Sequence, residues 1–143
     1  MKNKQTLLIF TMMMISMTLM AQNDKALIEQ AVLQFSKAGD ERNAESLTHL
    51  LHDDFRIVMN RLFGSETVNL MTKEVYIKMI QDGKLGGDQR TVKIISIDIT
   101  ENNASVKVSL KGAELTFQSY YQLIKNVSGQ WQLINDLPFA TKN

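Results

Sequence analysis

The chain has no cysteine among its 143 residues. Disulfides, thiolate metal sites and a thiol nucleophile are therefore excluded. It has one proline and no proline-rich or serine-rich stretch at which to divide it, and no internal repeat. A large excess of one charge is also missing: a net charge of +1 does not suit a strongly basic nucleic-acid binder. No nucleophile elbow or dinucleotide fingerprint occurs, and Gly83-Lys84-Leu85-Gly86-Gly87 lacks the Gly-Lys-Ser/Thr ending of a phosphate loop.

What is present fits one domain, since domains commonly hold roughly 100–150 residues. The N-terminal stretch stands apart. Lys2 and Lys4 precede a nearly continuous apolar run from Thr6 to Met20, and six of the nine methionines lie at or before Met20. The run is shorter than the roughly 20 residues that span a bilayer. It reads as a secretory signal peptide over residues 1–21, cut after Ala21, although Leu19 is large for the −3 position. The remainder, residues 22–143, is expected to be secreted or periplasmic, with no stable membrane insertion. Loss of Lys2 and Lys4 takes its net charge to −1.

Hydrophobic spacing then divides the remainder in two. Leu27, Ile28, Ala31, Val32 and Phe35 form one helical stripe over Asp24 to Ala38, with Gly39 as the residue that ends it. A second short helix starts at Asn43 as N-cap and carries Leu47, Leu50 and Leu51; Asp53-Asp54 ends it. Phe55, Ile57 and Met59 alternate with Arg56, Val58 and Asn60 as a strand. Thr72 caps a third helix that shows Val75, Tyr76, Met79 and Ile80 and stops at Gly83; Gly83 to Arg90 reads as an exposed loop. From Thr91 to Asp136 the pattern changes to period two, with four strands and three tight turns. The first, Val92 to Ile99, is apolar on both faces around Ile94 and Ile95 and is expected to be covered on both sides. In the second, Ala104, Val106, Val108 and Leu110 make one row. In the third, Leu115, Phe117, Tyr121 and Leu123 make a row interrupted at Ser119. In the fourth, Trp131, Leu133 and Leu137 make a row interrupted at Asn135. The predicted class is α+β, in the order α-α-β-α-β-β-β-β: a cone-like curved antiparallel sheet packed on three helices.

This order resembles the nuclear transport factor 2-like superfamily, and within it the branch named SnoaL-like and "putative lumazine-binding". The residues that carry the resemblance are Leu50-Leu51-His52-Asp53-Asp54-Phe55-Arg56, Gly129-Gln130-Trp131-Gln132-Leu133-Ile134 and the meander between. It covers about Asp24 to Pro138. It implies a ligand-sized cavity inside the cone and pairing of two copies through the outer sheet face. Lys107, Gln118, Gln122 and Gln132 would make that face wet.

A polar side chain on an apolar row must find a partner, a water or a ligand. Ser119 and Asn135 are the interruptions. Arg61 continues the row of Phe55, Ile57 and Met59. With Tyr76, Tyr121, Trp131 and Met59 they are the predicted ligand-binding residues, for a small and partly apolar molecule. No cofactor and no metal is expected. His49, His52 and Asp53 could be set out as a metal site only if the second helix ran through them. The bland reading is a solvated turn at its end. As acid–base groups the weak candidates are His52 and Asp98, in a cofactor-free isomerase, dehydratase or hydrolase of the kind found on similar folds. Asp136 is assigned to the face opposite Trp131. A third reading is a dimeric protein-interaction module.

Overall fold

A computed structural model describes residues 23–143. The expected leader over residues 1–21 and its cut after Ala21 lie outside the described residues. Three helices are present: α1 at residues 23–40, α2 at Ala44–Leu50 and α3 at Lys73–Gln81. Six strands accompany them: β1 Leu51–Asn60, β2 Val68–Thr72, β3 Thr91–Thr100, β4 Asn103–Lys111, β5 Leu115–Lys125 and β6 Trp131–Lys142. They form one sheet in the order β2-β1-β6-β5-β4-β3. The sheet is mixed, because β1 runs parallel to β6 while every other neighbour is antiparallel. Among the described residues no helix is long and apolar enough to cross a membrane.

The α+β architecture follows the expected order, with one short strand added. Strand β2 returns along β1, from Arg56 opposite Thr72 to Asn60 opposite Val68. Its Val68 and Leu70 are exposed, so no half-buried alternation marks it in the sequence. The boundary between α2 and β1 also differs. The Asn43 carboxamide accepts from the Ser46 amide, as an N-cap should, but the strand begins at once at Leu51. His52, Asp53 and Asp54 therefore stand on a strand and not in a turn. Helix α1 continues through Gly39, and the chain turns away at Arg42, a left-handed residue at φ 54°.

The core lies between the helices and one face of the sheet. Ile28, Ala31, Val32, Phe35 and Ala38 of α1 are buried against Val106 and Val108 of β4, Tyr121 and Leu123 of β5 and Leu133 of β6. Phe35 is the centre of the packing. Its ring meets Tyr121 edge-on at 5.4 Å and lies 6.2 Å from both Phe55 and Tyr76. Aromatic contacts of this kind add about 0.5–1.5 kcal/mol each to the area they bury. At the far end of the sheet the Asp24 carboxylate accepts from Trp131 Nε1 at 3.1 Å and pairs with Lys125 Nζ at 2.7 Å, which fixes the start of α1.

Two β-bulges decide which side chains enter this core. In β3 the register against β4 shifts between Ile94 and Ser96. Val92 and Ile94 lie on the helix-covered face before the shift, and Ile97 and Ile99 after it, while Ile95 is exposed. The strand is thus covered on one side only, and its two-sided apolar pattern is the trace of an inserted residue. In β6 the register shifts where Gln122 and Leu123 of β5 face Asn135 and Leu133. Ile134 is the extra residue. Trp131 and Leu133 point inward before it, and Asp136 is buried after it. Asn135 and Leu137 do not continue the inward row, contrary to the strict alternation expected from the sequence.

The loop at residues 83–90 is held close to α1. Gly87 N donates to Gly39 O at 3.2 Å, and Arg42 Nε donates to Leu85 O at 3.2 Å. At Gly86, φ +72°, a β-carbon would sit 2.2 Å from the backbone oxygen of Gly39. Gly83 has a similar φ of +70° but open space around it. Gly83→Ala should cost about 1–2 kcal/mol from backbone conformation alone. Gly86→Ala must also displace backbone and should cost roughly 3 kcal/mol or more. Urea denaturation of the two variants checks this; equal midpoints would show that the loop does not dock on α1.

Candidate functional site

Mostly apolar side chains line a cavity of about 340 Å³, open on one side, between the sheet, α1, α3 and the 83–90 loop. Ile57 and Met59 of β1, Met71 of β2, Leu110 of β4 and Phe117 of β5 line the sheet side. Phe35 and Gly39 of α1, Tyr76 of α3 and the loop residues Leu85, Gly86, Asp88 and Arg90 line the other. The loop read as exposed is thus part of the wall. Leu62 and Phe63, on the single 3-10 turn Leu62–Gly64, stand at the rim; the Phe63 ring is 71% exposed and edge-on to Phe117 at 6.5 Å.

The polar groups of the cavity belong together. Tyr121 lies directly opposite Asp136 across the β5–β6 ladder, and Ile57 of β1 is paired with Asp136 on its other side. Ser119, two residue pairs along and on the same face, donates its hydroxyl to Asp136 Oδ1. All of these side chains, with Tyr76 and Arg90, border the cavity. Among the described residues neither the Tyr76 nor the Tyr121 hydroxyl makes a hydrogen bond. Burial pushes both phenols above their ordinary range, with the Asp136 charge acting in the same direction.

Asp136 is the unusual group. Its carboxyl is pushed up to about 7, first by burial, against the Ser119 hydrogen bond and the Arg90 charge, which both favour ionisation. A carboxyl so placed is a hydrogen-bond donor below that pH and an acceptor above it. It can hold either kind of ligand atom, or move a proton.

The residues singled out from sequence separate into two groups. Ser119, Tyr121, Met59 and Tyr76 all border the cavity. Asn135, Trp131 and Arg61 do not border it. Asn135 is turned away by the bulge, Trp131 is buried at the other end of β6 against Asp24, and Arg61 is exposed in a left-handed conformation at φ 52°. The weak catalytic candidates lie elsewhere too. His52 is on β1, where its Nδ1 accepts from the Asp54 amide at 3.1 Å. Asp98 pairs with Ser105 on the outer face, in an open groove beside Gln122 and Ile134. Strict alternation would put Asp98 on the row of Val92 and Ile94; the bulge at Ile95 removes it from that row. His49 ends α2 and His52 belongs to β1, so they do not share a helix face. Among the described residues no group of three or more His, Asp or Glu could hold a metal ion. Sequence reasoning missed Asp136 and Arg90. Strict alternation puts Asp136 on the wrong face, and Arg90 falls in a stretch that reads as an exposed loop; an acid within an apolar strand is the available signal for the first.

The raised Asp136 carboxyl has a defined sign in stability. Unfolded, the group titrates near 3.9; folded, near 7. Between these values the native state binds more protons, so its contribution to stability is present below about pH 4, declines as pH rises and is lost above about 7. The full loss is up to roughly 4 kcal/mol. Asp136→Asn should remove this slope. Urea midpoints of both proteins at pH 5 and pH 8 test it: the variant should gain on the native protein at pH 8. A constant difference between them would place the Asp136 titration outside this range.

Comparison with known proteins bears on the same fold. None of the curated proteins matches the chain. Among solved structures it is similar to an NTF2-like protein of unknown function from Silicibacter pomeroyi, at 14% identity and TM-score 0.74, covering 85% of this chain and 98% of that one. It is similar to an NTF2-like protein from Cytophaga hutchinsonii, at 24% identity and TM-score 0.67, covering 82% and 98%. A ketosteroid isomerase-like protein from Erwinia carotovora atroseptica shares the fold at 14% identity and TM-score 0.66, covering 82% and 96%. A family profile described as "Putative lumazine-binding" matches residues 23–137. With that match over most of its length, and a six-stranded sheet wrapped on three helices, the chain belongs to this family of NTF2-like proteins.

Proposed function

We propose that this protein binds a small, partly apolar molecule inside the cone, outside the cytoplasm and without catalysis. The observation that carries the reading is the cavity itself: a largely apolar pocket with a buried carboxyl, a hydroxyl and two phenols that make no hydrogen bond among the described residues gathered on its wall. A volume of about 340 Å³ is in the usual range of ligand sites. The family description suggests a flat heterocycle of the lumazine kind, whose ring edge offers donors and acceptors to such groups. The basic residues and apolar run before Ala21 support export.

Pairing of two copies belongs to the same proposal. The bulge in β6 turns Leu137 and Phe139 to the outer face, opposite Tyr120 and Gln118, and all three apolar side chains are substantially exposed. Leu70 of β2 adds a fourth exposed side chain. The outer face is therefore less wet than Lys107, Gln118, Gln122 and Gln132 alone imply. An apolar sheet face of this kind supports association.

A second reading has its own support. A buried carboxyl near neutrality, facing an apolar cavity with phenols beside it, suits proton transfer in an isomerase, dehydratase or hydrolase. Asp136, not His52 or Asp98, would be the acid–base group.

Native mass spectrometry of protein purified from its own host tests binding and pairing together. The native chain should retain a small molecule and run as a dimer. The double variant Ser119→Ala/Asp136→Leu removes both hydrogen-bond partners, so it should stay folded yet lose the molecule. Retention at full occupancy would remove this cluster from the site. Phe139→Glu should give monomer; an unchanged dimer would exclude the outer face.

A further inference from the structure

Helix α1 carries a glycine one residue before its end at residue 40. Glycine within a helix costs about 1 kcal/mol relative to alanine, so Gly39 asks for a local reason. A β-carbon there would lie 3.2 Å from Nη2 of Arg90 and 3.5 Å from the hydroxyl oxygen of Tyr76. Gly39, Arg90 and Tyr76 all border the cavity. Donors from the loop and from α3 thus converge on a notch that a missing side chain keeps open.

Arg90 is already fixed in place. Its Nε donates to Asp40 Oδ1 at 2.5 Å, its backbone amide donates to Asp40 Oδ2 at 3.0 Å, and Nη2 donates to the Ser36 carbonyl at 3.3 Å. A guanidinium has five N–H donors. Nη1 makes no hydrogen bond among the described residues, and neither does the Tyr76 hydroxyl. Nη2, the nitrogen beside Gly39, spends one of its two N–H groups on Ser36, and a side chain locked by its partners with a donor left over at a cavity wall is built to receive an acceptor. The charges narrow the choice. Asp40 already offsets Arg90, and Asp88 and Asp136 stand on the same cavity. A carboxylate would meet this acidic surplus; an uncharged oxygen would not.

We infer that Arg90 and Tyr76 anchor a carbonyl oxygen of an uncharged, largely apolar ligand in the notch beside Gly39. The inference rests on the cone being a binding site and assigns the chemistry of what it holds. Asp136 and Ser119, hydrogen-bonded to each other, border the same cavity, and the second carboxyl oxygen of Asp136 is left for another polar edge of the ligand.

Three naphthalene probes test it by equilibrium dialysis: 2-acetonaphthone carries the carbonyl, 2-ethylnaphthalene lacks it, and 2-naphthoate replaces it with a charge. The readout is the ratio of ketone to hydrocarbon affinity. Arg90→Gln should lower that ratio about tenfold, the scale of one hydrogen bond to a charged donor. Gly39→Ala should lower it similarly by filling the notch. That variant leaves the Arg90–Asp40 pair intact and favours the helix, so it remains informative if Arg90→Gln fails to fold. Naphthoate should bind the native protein more weakly than the ketone. Unchanged ratios in Gly39→Ala, or naphthoate as the tightest probe, would overturn the anchor while leaving the cavity reading in place. Failure of every probe to bind the native protein would overturn both.

Discussion

The buried carboxyl inside the cone depends on one extra residue in β6. Ile134 has no partner in the ladder between Leu133 and Asn135. A slip of one residue moves every later side chain of a strand to the other face. Asp136 and Pro138 consequently look into the cavity, and Leu137 and Phe139 look out. Without the bulge the inner wall would receive an amide and a leucine, and the outer face would lose two of its exposed apolar residues. A single backbone irregularity thus sets the interior chemistry and the exterior stickiness together.

That dependence also fixes how far the sequence could be read. Periodicity locates elements well, because it averages over many residues. The stripe of α1, the caps Asn43 and Thr72, and the four-strand run all stand where spacing puts them. Parity within a strand is more fragile, since one unpaired residue inverts it. Strands β4 and β5 pair without a break over the stretch that faces the cavity, and there Ser119 and Tyr121 lie on the inner row as alternation requires. Strands β3 and β6 carry bulges, and there strict alternation puts Asp98, Asn135 and Asp136 on the wrong face. Ile94-Ile95 hinted at the first shift, because consecutive isoleucines fit a covered strand and a bulged one equally. Arg90 was illegible for a different reason: its place depends on Asp40, fifty residues away, and no local pattern reports such a pairing.

The site is assembled against local stability. A buried carboxyl opposes folding at neutral pH, and Ser119 and Arg90 offset only part of that cost. Arg61 and Phe63 hold left-handed conformations beside the rim without being glycine. Features that weaken a fold persist where the surrounding packing can hold them. Here that packing is the aromatic group around Phe35, which joins α1, α3, β1 and β5 behind the cavity.

The anchoring of Trp131 has a practical side. It is the one tryptophan of the chain, and its indole is held by Asp24 and faces the Lys125 ammonium, away from the cavity lining. Its emission therefore reports whether the first helix is seated on the sheet. The two cavity phenols, Tyr76 and Tyr121, belong to a different optical band. The exposed Tyr120 shares that band, so with Tyr120→Phe the molecule carries separate intrinsic chromophores for its scaffold and for its interior, and loosening of one and occupation of the other can be followed in the same cuvette without a label.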